Sequence, residues 1–274
     1  MCLHLTVAQM PGLWHIWLKC ARLKQGNKYP EVGTVGGAMG RKPSITRGLQ
    51  SKNVVVANTL VRSAQSLSLA EKRIVFAAAA KMGNNFGEVI LHASEYAETF
   101  DMPVKQAYEQ LKNAVEGMRT RYFTLAVPDR EGVMIWKINW LQKIGYDDGK
   151  ARVGLRFCED VLPYLCDLTK EFTKYKLKQA CALRSVHSWR LLELFEQQSS
   201  GWLAIKIEDF HHAMESNDSC RNNFAQLKRK IIEPAIKELR EKDNWLIDFS
   251  FTKAGRKVDL LKFTFKKNPQ GKLF

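Results

Sequence analysis

The chain has 274 residues, 45% apolar and 26% charged, enough to bury a core in two domains of roughly 100–150 residues each and too apolar for a disordered chain. Lys plus Arg number 43 against 28 Asp plus Glu, and a surplus of +15 calls for a polyanionic partner, nucleic acid or an anionic membrane surface. No run approaches the ~18 unbroken apolar residues of a membrane span, which excludes an integral membrane protein, and with the first lysine at position 19 there is no basic start to a secretory signal, so a cytoplasmic protein is expected.

The charge is uneven. Residues 1–50 hold 7 basic and 1 acidic side chains, residues 51–172 hold 16 and 15, and residues 173–274 hold 20 and 12, giving +6, +1 and +8. The main phosphate-binding surface is therefore expected in the last third.

Residues 1–50 read as a poorly structured extension, with Gly33, Gly36, Gly37, Gly40 and Gly48 crowded beside Pro30 and Pro43. Met39 opens a more ordinary basic start and is expected to be the native initiator residue. From Asn53 the pattern becomes regular. Residues 54–62 form an apolar segment leading into a helix, and Ser68 with Glu71 three residues on is a capping box. That box opens a helix through Ile74, Val75 and Phe76 to Met82, which Gly83 can close. Residues 94–101 form a short helix. Pro103 suits a helix start, and Val104, Tyr108, Leu111, Val115 and Met118 then fall on one apolar stripe. Residues 122–127, 133–141 and 151–157 alternate as strands around turns at 128–132 and 147–149. Helix, short helix, amphipathic helix and hairpins make the layout of a winged helix.

The same order returns. Residues 184–198 form a helix with Val186, Trp189, Leu192 and Phe195 on one face, and residues 207–214 a short one. Residues 216–219 supply cap chemistry before a stripe of Phe224, Leu227, Ile231 and Ala235. Pro234 is expected to kink that helix or break off residues 235–240 as a separate one. Residues 245–251 alternate, turn at 253–256 and return through Leu261, Phe263 and Phe265. At an offset of 116, Tyr108, Gln110-Leu111-Lys112 and Val115 fall on Phe224, Gln226-Leu227-Lys228 and Ile231. The fold expected is α+β, two tandem winged-helix domains related by an internal pseudo-repeat, over residues 51–160 and 161–274.

If the apolar stripes face inward, the opposite sides show Asn222, Gln226 and Arg229 in the second copy and Gln106, Gln110 and Asn113 in the first. Asn, Gln and Arg are the side chains that read base edges in a major groove. Arg221, Lys228 and Lys230 flank the second face, and Lys253, Arg256 and Lys257 occupy the tip of its hairpin, where they can meet phosphates or enter a minor groove. The six cysteines include no C-x-x-C and none at zinc-ligand spacing with histidine, so reduced thiols and no metal or cofactor are expected. No P-loop, dinucleotide fingerprint or nucleophile elbow is present, and His211-His212 lacks the His-x-His of metal-dependent nicking enzymes, leaving Tyr164 and Tyr175 weak nucleophile candidates; a non-enzyme is expected.

FTKYKLKQACALRSVHSWRLLELF at residues 172–195 and FAQLKRKIIEPAIKEL at 224–239 resemble the second winged helix of iteron-binding plasmid replication initiators of the RepE and RepA type. NVVVANTLVRSAQSLSLAEKRI at 53–74 resembles the opening of their first. The resemblance spans about residues 52–267 and implies an initiator that binds direct repeats at the plasmid origin as a monomer and melts adjacent AT-rich DNA. It further implies partners in the host initiator, helicase and chaperones, and a dimer that represses the protein's own gene. By the same resemblance the second domain anchors DNA, while the first makes a secondary contact and the dimer interface, through the hairpins at 133–157. The rival on the same fold is a transcriptional repressor with no role in initiation.

Overall fold

The computed structural model describes residues 48–82, 87–128, 131–166, 168 and 170–268. Residues 1–47, with Met39, Cys2 and Cys20, and Gly83, lie outside the described residues.

The first module begins with β1 (Asn53–Ala57), α1 (Asn58–Arg62) and α2 (Leu69–Met82). The expected capping box caps the start of α2: the Ser68 N–H donates to Glu71 Oε2 at 2.7 Å and the Glu71 N–H to Ser68 Oγ at 3.3 Å. Then come β2 (Val89–His92), α3 (Ala93–Phe100) and α4 (Val104–Gly117). Asp101 turns the chain between the two helices in the left-handed region at φ 51°. Ala107, Leu111, Ala114 and Val115 form the core face of α4, while Val104, expected on that stripe, stands 50% exposed. α4 ends at Gly117, where a Cβ would lie 2.8 Å from Glu71 Oε1, so a side chain there would force Glu71 to shift.

β3 (Tyr122–Pro128) and β4 (Val133–Asn139) pair as a separate hairpin, followed by β5 (Leu141–Asp147) and β6 (Arg152–Phe157). The strand expected at 133–141 breaks at Trp140. Its indole is fully buried and donates to the Gln65 carbonyl at 3.0 Å, so this residue leaves the ladder for the core. β5 was hidden behind that break. β2, β6 and β5 form an antiparallel sheet in that order.

After α5 (Leu162–Leu165) the chain returns to the first module. β7 (Phe172–Lys176) pairs antiparallel with β1, Asn53 opposite Lys176 and Ala57 opposite Phe172. α6 (Leu177–Cys181) and α7 (Val186–Glu196) follow, α7 capped by Ser185. The second module continues with β8 (Trp202–Lys206), α8 (Ile207–Met214), α9 (Asp218–Arg221) and α10 (Phe224–Leu227). A π turn (Lys228–Ile232) joins α10 to α11 (Glu233–Asp243), and β9 (Trp245–Ala254) and β10 (Lys257–Lys267) form the closing hairpin. Their sheet runs β8-β10-β9, the order of β2-β6-β5. The two tandem winged helices are thus one topology written twice, with the β3–β4 hairpin inserted in the first copy. Pro234 does not break the helix into separate pieces. Residues 224–243 stay helical, with the strain taken up by the π turn.

α2 and α7 are buried on every side, so no amphipathic stripe is needed and charged residues end up inside. Lys72 and Glu193, both fully buried, pair at 2.9 Å. Lys72 also donates to Gln65 Oε1 at 2.7 Å and lies 4.5 Å from the centroid of the Phe76 ring. Tyr175 donates to Glu193 at 3.0 Å and accepts from the Trp189 indole at 2.8 Å, which removes this phenol from any role as an exposed nucleophile. Arg190 approaches Glu193 at 3.8 Å, donates to the Ala213 carbonyl of α8 at 2.7 Å, and reaches the Ser63 carbonyl beyond α1. The Glu215 carboxylate, just after α8, accepts the N–H groups of Gln65 at 2.6 Å and Ser66 at 3.0 Å. These bonds tie the two modules together, and those of Lys72, Glu193, Tyr175 and Arg190 do so through polar groups that have no water to turn to.

Burial pulls the Lys72 ammonium down to about 8 despite the opposing pull of Glu193. Its folded value lies below the unfolded 10.5, so the cost of burying the charge is present in full below pH 8 and is relieved as the pH rises from 8 to 10.5. Glu193→Ala leaves Lys72 charged and unpaired and is expected to cost about 3–5 kcal/mol in urea unfolding at neutral pH. Without Glu193 the Lys72 value falls further, so the deficit should narrow as the pH is raised toward 8. A deficit independent of pH would contradict this.

Candidate nucleic-acid interface

Asn223 begins the helix that faces outward in the second module. Its side-chain oxygen accepts from the Gln226 N–H at 3.2 Å, satisfying one of the free donors of the first turn. The sequence reading missed this cap because the adjacent Asn222 and residues 216–219 offer the same chemistry; within 216–219, Asn217 caps α9, accepting from the Cys220 N–H at 3.1 Å. Helix phase therefore starts at Asn223. Asn222 sits before the helix, at the C-terminal end of α9, and not on the face with Gln226. Arg221 lies in α9 and donates backward to the Ser216 carbonyl at 2.9 Å and the His211 carbonyl at 3.3 Å, so part of its guanidinium supports the turn.

Gln226 and Arg229 do come together. Arg229 is exposed and donates to Gln226 Oε1 at 3.1 Å, which orients the Gln226 amide with its N–H groups free. Lys230 is exposed beside them, while Lys228 is half-buried and 3.5 Å from Glu233. At the hairpin tip, Ala254 pairs with Lys257 across a two-residue turn in which Gly255 takes φ 61°. Lys253, Arg256 and Lys257 all stand exposed there. The Phe224 ring packs 4.7 Å from that of Phe251, fixing β9 of the wing to the start of α10. His211 is buried, and burial, then Arg221, depress its imidazole below the usual value, so it adds no charge at neutral pH.

The first module presents less. Gln106 and Asn113 are exposed on α4. Gln110, expected on the same face, is half-buried and accepts from the Tyr96 hydroxyl at 2.8 Å, because α3 packs beside that part of α4. Asp148 takes the Tyr108 hydroxyl at 2.6 Å and the Lys112 ammonium at 2.9 Å. Those bonds hold the Asp148 carboxyl below its ordinary range and the Lys112 ammonium above its own. This lysine's charge is thus already matched. Within the hairpins at 133–157, β4 is exposed on both faces at its start, where Val133, Met134, Ile135 and Trp136 are 62%, 48%, 54% and 55% exposed. Among the described residues no three His, Cys, Asp or Glu side chains form a metal-holding group, and no helix is long and apolar enough to cross a membrane.

The fold has a known counterpart. The Pi initiator protein, solved in complex with iteron DNA, superposes with a TM-score of 0.67 over 81% of this chain and 99% of that one at 20% identity. An uncharacterized 27.6 kDa protein of Escherichia coli is 25% identical over 228 residues, 78% of this chain and 94% of its own length. The family model for the first winged helix of initiator replication proteins matches residues 53–196, which carries it past the boundary expected at 160 and through β7 and α7; that for the second matches residues 206–265. With most of its length matched by these two models, this chain belongs to the family of initiator replication proteins built from tandem winged helices.

Proposed function

We propose that the protein initiates plasmid replication by binding direct repeats at the origin as a monomer, each copy of the fold reading one end of a repeat of about 20 base pairs. Bending and local deformation then promote melting of neighbouring AT-rich DNA, with no nucleotide hydrolysed and no catalytic group required. The observation that carries this reading is the Gln226–Arg229 pair on a capped helix, Arg229 exposed and Gln226 half-buried beside it, flanked by a cationic wing tip, in a chain whose family is that of replication initiators. Gln226 suits adenine and Arg229 guanine. Lys228, Lys230, Arg221 and Asn222 flank that helix as backbone contacts, and Lys253, Arg256 and Lys257 lie along the phosphates or in the minor groove. Gln106 and Asn113 of α4 make the weaker second contact, with Gln110 available only if its bond to Tyr96 opens.

The protein's other roles follow the family: recruitment of the host helicase through host initiator proteins, chaperone control of the monomer, and autorepression by a dimer. The exposed apolar strip of β4 supports a dimer surface on the first module. DNase footprinting of the origin region tests the reading: protection of several tandem direct repeats is expected, whereas protection of one inverted repeat alone would leave a plain repressor.

Arg229→Ala should cost about 1–3 kcal/mol on the cognate repeat and relax the preference at one base pair, measured by binding to single-position variants of the duplex. Lys253→Ala and Lys257→Ala should instead weaken all duplexes alike, each lowering the slope of log affinity against log salt by about 0.9. Equal losses on cognate and scrambled DNA for Arg229→Ala would contradict the assignment.

A further inference from the structure

The helix bearing Gln226 changes pitch in its middle. In the π turn (Lys228–Ile232) the Glu233 N–H donates to the Lys228 carbonyl, five residues back. Side chains report the same geometry, for Lys228 Nζ lies 3.5 Å from Glu233 Oε1. On an α-helix residues five apart point about 140° from each other, and the neighbours are three and four apart. The cause is Pro234, which stands in the first turn of α11. It has no N–H to offer the carbonyl of residue 230 and its ring would strike that carbonyl. A turn wider by one residue removes the clash.

The wider turn sets the phase of everything after it. With Leu227 at 0°, an unbroken α-helix would carry Ile232, Ala235, Ile236 and Leu239 to about 140°, 80°, 180° and 120°. One extra residue in the turn rolls them back by about 100°, to about 40°, −20°, 80° and 20°. All four are buried, at 0%, 2%, 6% and 0% exposure, as is Leu227 at 0%. The burial pattern therefore needs the π turn, and the turn fixes the angle between the anchored half of the helix and the half that displays Gln226 and Arg229.

We infer that Pro234, acting through the π turn, is a positioning residue that sets which bases the second module reads. This rests on the proposed reading of DNA by Gln226 and Arg229. Pro234→Ala restores the N–H and removes the ring, so the turn can relax to an α-helix. Because the anchored half is held by its burial, the reading half then rolls by about 100°.

The test uses the full chain and a duplex selected by it from a randomised pool, with a scrambled duplex as the reference. For Pro234→Ala the ratio of affinities, selected over scrambled, should fall by on the order of ten- to a hundredfold. Affinity for the scrambled duplex should fall far less than affinity for the selected one, because the roll displaces only Lys228 and Lys230 among the proposed phosphate contacts and leaves Lys253, Arg256 and Lys257 in place. Pro234→Ala combined with deletion of Lys228 removes the extra residue, returns α11 to the phase of Leu227, and should regain most of the ratio, although overall affinity drops with the lost lysine. A merely structural role for Pro234 predicts no such recovery. A wild-type ratio in Pro234→Ala overturns the inference, as does a double variant with no preference. If Pro234→Ala fails to fold, the double variant alone decides by the same criterion. A wild-type chain that selects no sequence sinks the proposed function first, and the inference with it.

Discussion

A lysine and a glutamate buried together hold this molecule in one arrangement. Lys72 belongs to the central helix of the first module and Glu193 to α7, the helix that leads into the second. Neither can find water, so each depends on the other and on Gln65, Tyr175 and Arg190 around them. Arg190 then carries the constraint outward to α8 on one side and to the turn after α1 on the other. An apolar core would tolerate sliding between modules, whereas a set of bonds with fixed partners does not. For a protein whose proposed task is to place two helices in two successive grooves, a fixed spacing between them is the requirement, and this cluster meets it at some expense in stability.

Much of this was legible in the sequence. The Ser68–Glu71 cap, the helices at 93–100 and 207–214, and the offset of 116 all rest on local patterns that tertiary packing left undisturbed. What could not be read was decided by non-local contacts. Trp140 leaves its strand for a carbonyl 75 residues earlier in the chain, which hid β5. β7 joins β1 across more than a hundred residues, so the first module extends beyond where composition placed its end. Gln110 looks like any exposed glutamine until Tyr96 is placed beside it. At the second helix the error lay in the starting point. Two asparagines stand together, and taking Asn222 as part of the helix in place of Asn223 as its cap put Asn222 on a helix face it does not share, while Gln226 and Arg229 do lie together.

The two copies have diverged along physical lines. α4 ends at Gly117, pressed against Glu71, while its counterpart runs on through a π turn to Asp243. The first copy gained the β3–β4 hairpin and its apolar outer strip, and its Lys112 is matched by Asp148. The second kept an arginine on its helix and three cations at its wing tip. The same scaffold thus carries exposed apolar side chains on one copy and exposed cations on the other.

Methylation interference on a single selected repeat probes the central claim most directly, since it reports guanines contacted in the major groove one by one. Two clusters of interfering guanines on one face of the duplex, about one helical turn apart, are expected, the stronger from the second module. A single cluster, or two on opposite faces, would contradict a protein that grips DNA with both copies of its fold.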